Sequence, residues 1–298
     1  MKSAKVFDKQ LSECHWKEVV ALTEDLPLMP DVALKAITLL NNENVSSVQL
    51  SEILSKDTAL VGRILKIANS ALFSRQREIG NIKDATVLIG YKALKGIIYA
   101  ASVRKMYEDM SIVQERVWEH SIATATFATN IAEALKKSYE DEVFLYGMLH
   151  SLGQLALLNL ESTKESYLKV IDLIKQKSLS YLEAEQKVFG FTHALVGALV
   201  AKKWNFPLET CYVILHYLDP YEVMSFTDIQ SEKTVLIRLS SLLAHKVAIG
   251  SPEGYKVDLK EITLLARALG FNKNTYKKDL DLLCANTKMQ VEKEKENY

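Results

Sequence analysis

Proline and glycine are scarce in this chain, five and 11 among 298 residues, so long stretches run without the residues that break helices or set tight turns. Strand patterning is missing as well: no run alternates apolar and polar residues between turn signals. Cysteine is sparse, and Cys14, Cys211 and Cys284 lie far apart without a CxxC pair. That excludes a disulfide framework and a zinc-knuckle spacing, and it suits a reducing compartment. Charge of one sign is lacking too. Lys+Arg and Asp+Glu both number 37, so no global field draws the molecule to nucleic acid or to an anionic membrane. No run approaches the ~18 apolar residues that cross a bilayer. The opening stretch MKSAKVFDKQLSECHW is too polar for a secretory leader. The expectation is a cytoplasmic protein with no nucleic-acid partner and no membrane partner. Neither GxxxxGK[ST] nor GxGxxG occurs, so no loop of that kind cradles a phosphate.

What is present is helical rhythm. In DVALKAITLLNN, Val32, Ala36, Leu39 and Leu40 recur at helical spacing behind Pro30 and Asp31, which mark a helix start. Ser46 with Gln49 and Ser180 with Glu183 have capping-box spacing, in which hydroxyl and carbonyl or carboxyl oxygen satisfy free N–H groups reciprocally. Asp57 precedes TALVGRILKIANSALF, a helix with Leu60, Ile64, Leu65, Ile67 and Ala68 available for burial. These patterns predict an all-α protein. SPEGYKV, around residue 254, reads as a turn cluster, and KMQVEKEKENY as a frayed, charged end or an exposed last helical turn. One helical group is expected before about residue 110 and a second after it, packed into one body. Lys202 and Lys203 read as a solvated helix face, and Trp118, Trp204 and Phe206 as interior.

Chemistry, if there is any, falls to the histidines: His15, His120, His150, His193, His216 and His245. A histidine on a helix is more often a packed, hydrogen-bonded structural residue than a ligand. His150 is a polar position within the apolar stretch FLYGMLHSLGQLALL and needs a partner there. His120, in VWEHSIATATFA, opens a helix whose inner face is made of small residues, which lets His120 and His150 converge. His193 follows Thr192 at a helix start, and His216 lies near the end of the helix that follows Pro207.

Several segments, in order, resemble one family. They are LPLMPDV at 26–32, SKDTALVGRILKIANSALF at 55–73, IKDATVLIGYKAL, WEHS, GMLHSLGQLAL, FGFTHALVGALVAKKWNFP and RLSSLLAHKV. From about Leu26 to Ala268 the chain looks like the HDOD family, the HD-related output domains of bacteria. The resemblance implies a flexible segment over 1–15 and an HDOD-like helical domain over 16–270. Within that domain it implies a helical subdomain over about 16–110 and a degenerate HD-like bundle over about 111–270, with a helical extension and charged tail over 271–298. Its fold is all-α, the helical group packed on the bundle.

The family is related to metal-dependent HD phosphohydrolases, whose minimal site is a His, an adjacent His-Asp pair and a later Asp. The resemblance places the first His on His120, the pair on His150 and Ser151, and the later Asp on Ser241. His193 and His216 correspond to further histidines of the dinuclear relatives, and Tyr217 stands where those can carry another. Two Asp-to-Ser differences remove two formal charges and two hard oxygen donors from the place where a water-activating cation would sit. No carboxylate suggests itself to orient a histidine or a water; Glu119 and Asp141 are near in sequence but carry no motif. The expectation is no catalysis, no cofactor and no metal, His120 and His150 being the donors if one binds. The remnant positions would then form a buried hydrogen-bond cluster. The resemblance implies a bacterial signalling module that binds a signalling or regulatory protein. A small-molecule or nucleotide ligand stays open beside it, as does a phosphohydrolase with atypical ligands.

Overall fold

The computed structural model describes residues 28–42, 44–73, 78–106, 110–220 and 228–294. Cys14, His15, the segment 1–15, Leu26, Pro27 and the last four residues lie outside them. Among the described residues the chain is helical without a strand, as the scarcity of breakers and the helical spacing predict.

The first group comprises α1 (Asp31–Leu39), α2 (Ser47–Leu54), α3 (Thr58–Ala68), α4 (Ile82–Leu88) and α5 (Tyr91–Met106). Both ends of the Ser46 capping box close, hydroxyl on the Gln49 N–H and Gln49 Oε1 on the Ser46 N–H, each at 3.2 Å. Asp57 accepts the Leu60 N–H at 2.9 Å and starts α3. Asn69, at the end of α3, donates its amide to the carbonyls of Leu65 and Ile79 and accepts the Ile79 N–H, at 2.8–2.9 Å. The Ala68-Asn69-Ser70 step is therefore a clamp that returns the chain to α3 after a loop.

The second group comprises α6 (Ile112–Ala134), α7 (Glu140–Leu149), α8 (Leu152–Asn159), α9 (Glu161–Lys177), α10 (Tyr181–Phe189), α11 (His193–Lys203), α12 (Leu208–His216) and α13 (Ile229–Lys246). They are followed by α14 (Leu259–Leu269) and α15 (Tyr276–Glu294). Helix α5 joins the groups, packing on α1 and α3 at one side and on α7 at the other. A hydrogen bond from the Asn41 side-chain NH₂ to the Asn205 carbonyl at 2.9 Å adds a second tie. Trp118, Trp204 and Phe206 are buried, while Lys202 and Lys203 are exposed.

Helix α6 is the axis of the second group, touching α7, α13 and α15. From Val117 to Thr129 only Glu119 escapes full burial, so α6 has no polar stripe to betray which side faces which neighbour. It also starts earlier than expected: a capping box of Ser111 and Gln114 opens it, and His120 sits more than two turns inside rather than at its beginning. At the far end the helical alternative holds. Residues 288–294 continue α15, because Val291 is buried rather than frayed, and Asn130 of α6 donates to Thr287 and Gln290 at 2.9 and 3.0 Å. SPEGYKV forms turns, as its composition predicts.

Candidate functional site: a buried histidine cluster

Close helix approach builds the site. A Cβ on Gly147 of α7 would stand 2.4 Å from the Ala125 Cα of α6, and one on Gly153 of α8 would stand 1.9 Å from the His193 carbonyl of α11. Only glycine lets the backbones meet at these distances. His150 caps α7 and Ser151 precedes α8, so the break between these helices presents both side chains to α6. The rings of His120 and His150 converge to 5.1 Å between centroids, the approach that the small residues of α6 allow.

Each of the positions singled out in the sequence has a partner. Nε2 of His120 lies 3.0 Å from the Ser241 hydroxyl of α13, and its Nδ1 faces the Ile249 carbonyl at 3.4 Å. Because a carbonyl only accepts, Nδ1 carries the proton and Nε2 accepts from Ser241. Ser151 bonds to Ser121, whose own hydroxyl donates to the Val117 carbonyl at 2.9 Å. His150 donates Nδ1–H to the Gly147 carbonyl at 2.6 Å. His193 meets the cluster through Tyr217, which is bonded to its Nε2 and stands edge-on to His150. His216 goes elsewhere: its Nδ1 pairs with Asp219 at 2.8 Å, and its ring lies against Tyr212.

Three functional-looking residues were not legible as site members. His245 stacks on His120 with centroids 3.9 Å apart and an interplanar angle of 16°, and bonds to Ser251 at 2.8 Å. Glu185 of α10 is the missing orienting carboxylate, fully buried, accepting the Nδ1–H and backbone N–H of His193 at 2.6 and 2.9 Å and the Tyr167 hydroxyl at 2.9 Å. By taking that backbone N–H it also caps α11, where the Thr192 side chain makes no cap bond. Tyr217 is the third, noticed in sequence only as a replacement for histidine. The only hint in the chain is the eight-residue step from Glu185 to His193, which carries no general signal.

The electrostatics follow from burial. Desolvation lowers the pKa of His150 and of His245 to about 3, and the neighbouring histidines add to it for His245. His120 lies well below its ordinary value, through desolvation first and then His245 and His150. Burial, with the Glu185 charge, drives the Tyr217 phenol well above its ordinary value. These imidazoles are neutral at neutral pH.

Neutral imidazoles and serine hydroxyls are a poor match for a hard, water-activating cation, which is held by carboxylates. Both serine hydroxyls are already in hydrogen bonds, and the stacked rings of His120 and His245 lie parallel rather than converging on one point. Among the described residues no group of three or more His, Cys, Asp or Glu side chains is arranged to hold a metal ion. The donor set does not fit the metal centre of the HD phosphohydrolases.

The HDOD domain profile matches residues 26–220, about two thirds of the chain. The chain belongs to the HDOD family. An HDOD domain protein of unknown function from Geobacter sulfurreducens superposes with a TM-score of 0.72 at 23% identity, over 92% of this chain and 97% of that one. A protein of Shewanella amazonensis, named provisionally as a phosphohydrolase, superposes with a TM-score of 0.68 at 22% identity, over 92% and 97%. At these identities the likeness concerns the HDOD fold alone. An uncharacterized protein of Treponema pallidum is 23% identical over 185 residues, which are 62% of this chain and 36% of that protein. The chain therefore spans about a third of that curated relative's length. The family match ends before α13, so Ser241 and His245 of this HDOD protein lie beyond it. Among the described residues no single helix is long and apolar enough to cross a membrane.

Proposed function

We propose that this HDOD protein is a non-catalytic regulatory module of bacterial signal transduction that acts by binding a protein partner. The observation that carries the reading is the hydrogen bond between Ser241 and His120, at 3.0 Å, where the HD phosphohydrolases place an aspartate among metal ligands. Its counterpart is Ser151, fully buried against Ser121. Two carboxylates have been exchanged for hydroxyls that satisfy their neighbours instead of a cation. A hydrogen-bonded interior, its carboxylate Glu185 committed to His193 and Tyr167, holds helices in place and leaves no activated nucleophile to offer. The surface of the helices is then what another protein would meet.

The test is elemental mass spectrometry of untagged protein purified without chelator and dialysed, alongside turnover of a generic phosphodiester with added Mn²⁺. Background metal and no turnover are expected. Stoichiometric metal that is lost in His120→Ala or His150→Ala, with turnover, would establish a phosphohydrolase with atypical ligands and overturn the reading.

A further inference from the structure

Arg63, in the second turn of α3, carries two side-chain nitrogens, Nε and Nη2, that are buried and meet no hydrogen-bond acceptor. An arginine is never neutralised in a protein, so these N–H groups are charged and stripped of water together. Buried donors almost always have a partner, and a charged one left without is costly. The residue as a whole is half-buried, so the two nitrogens lie at the margin of the structure and not in its centre.

The two nitrogens form a matched pair. Nε–H and one N–H of Nη2 point out of the same edge of the guanidinium and together span a carboxylate. Arg238 of α13 shows the filled form: its Nε donates to Glu261 Oε1 at 2.7 Å and its Nη2 to Oε2 at 3.1 Å. Lys137 and Lys233 meet carboxylates too, Glu232 for the first and Glu142 with Glu209 for the second. Arg63 offers the same fork as Arg238 with nothing in it.

No acid of the neighbouring helices fills that fork. One turn away on α3 stand Ala59, Leu60, Lys66 and Ile67, none of them acidic. Asp57, at the helix start, accepts the Leu60 N–H. Of the helices that pack on α3, α5 has no acid, α2 has the exposed Glu52, and α4 has Asp84, which accepts from Asn81 at 2.9 Å.

The surrounding sequence has a surplus of the same sign. Between Thr58 and Met106 it holds nine basic residues and two acids, Glu78 and Asp84, in a chain of no net charge. Part of the surplus is spent, because Lys66 has a partner and Lys92 pairs with Glu142 at 2.6 Å. Glu142 also serves Lys233, and Lys95 donates to the neutral amide of Asn41 at 2.5 Å with only that shared Glu142 as counter-charge. An empty fork and a local excess of cations define what is missing by sign and by shape: a flat anion with two acceptor oxygens.

We propose that Arg63 is the receptor for a carboxylate that the described residues do not supply, held through Nε–H and Nη2–H together. A free small carboxylic acid and an acidic side chain of another protein bring the same chemistry to the fork. The site lies outside the histidine cluster and stands or falls independently of the partner-binding reading.

The test is NMR of the full chain with ¹⁵N-labelled arginine side chains, following the Arg63 Nε–H signal as sodium acetate replaces sodium chloride at constant ionic strength. Parallel titrations use acetyl-Gly-Glu-Gly-amide, acetyl-Gly-Gln-Gly-amide and inorganic phosphate. A saturable downfield shift of the Arg63 Hε proton with acetate is expected, with none at Arg238, whose fork already holds Glu261. A site that takes acetate and the Glu peptide is open to a protein side chain, whereas one that takes acetate alone serves a free acid. Arg63→Met removes the charge and keeps the apolar stem. It is expected to raise the urea midpoint in chloride, since it relieves two donors without an acceptor, and to abolish the added stability that acetate gives the parent. No saturable shift with acetate, an equal response to the Gln peptide, phosphate binding tighter than acetate, or a urea midpoint lower in Arg63→Met than in the parent would overturn the proposal.

Discussion

The hydroxyl of Ser241 and Nε2 of His120 are 3.0 Å apart, on two helices whose residues are 121 positions apart in the chain. That contact joins α13 to α6, and it is worth a neutral buried hydrogen bond, about 1 kcal/mol net. Ser241→Ala is expected to lower stability by roughly 1–2 kcal/mol, the upper end reflecting the acceptor left unsatisfied on His120. Urea unfolding at pH 7.5 reads the change; a variant as stable as the parent would show the bond to be idle.

Acid should weaken the fold through the histidines. His150 and His245 titrate near pH 3 when folded, against about 6.5 when unfolded. Between these limits the unfolded chain binds protons that the folded chain refuses, so stability is full above pH 6.5 and falls as the pH drops. At pH 5 the loss is roughly 2 kcal/mol for each of the two. His245→Phe should reduce the drop in urea-unfolding free energy between pH 7.5 and 5 by about 2 kcal/mol, whatever it does to absolute stability. A pH slope identical to the parent's would contradict the neutral, buried state.

Glu185→Gln keeps the volume but replaces one carboxylate oxygen by an NH₂ facing donors. His193 presents two N–H groups and Tyr167 a hydroxyl to this carboxylate, so the amide leaves at least one of them opposed. A cost of about 3 kcal/mol is expected in thermal or urea unfolding, the scale for breaking a buried charged network. A loss below about 1 kcal/mol would mean that the network relaxes around the amide.

Two glycines should respond in opposite directions. Gly153→Ala puts a methyl group into the His193 backbone and forces α8 from α11, and it is expected to abolish cooperative folding or cost several kcal/mol. Gly62, within α3, has nothing within 4 Å of its Cβ position, so Gly62→Ala should gain up to ~1 kcal/mol from helix propensity alone. Thermal melts of both variants check the pair.

The sequence disclosed what is local. The capping boxes at Ser46 and Ser180, the start at Asp57 and the buried Trp204 follow from spacing within one turn or one face. The meeting of His120 and His150 was legible because the small residues of α6 announce a close neighbour. His245 was not: it lies on α13, one turn beyond Ser241, and whether it faces α6 depends on the rotation of a helix that is buried on most of its circumference. Glu185 was hidden for a related reason. A carboxylate on a short, otherwise amphipathic helix reads as solvated unless the partner that removes it from water is known, and that partner is the N-terminus of α11. Of the two readings of the end, fraying or a last helical turn, the helical one holds over 288–294, because one apolar residue, Val291, outweighs its charged neighbours once α6 offers it a surface.

The Asn69 clamp has a consequence for how this chain tolerates change. One side-chain amide holds both the departure from α3 and the return at Ile79, beside the packing of α4 on α2, α3 and α5. Extra length in that interval adds only a slowly growing closure entropy, about 0.6 kcal/mol for each doubling. A reporter tag or a foreign peptide can be spliced there while the helices on either side keep their register, whereas removing the single amide would unfasten both ends at once.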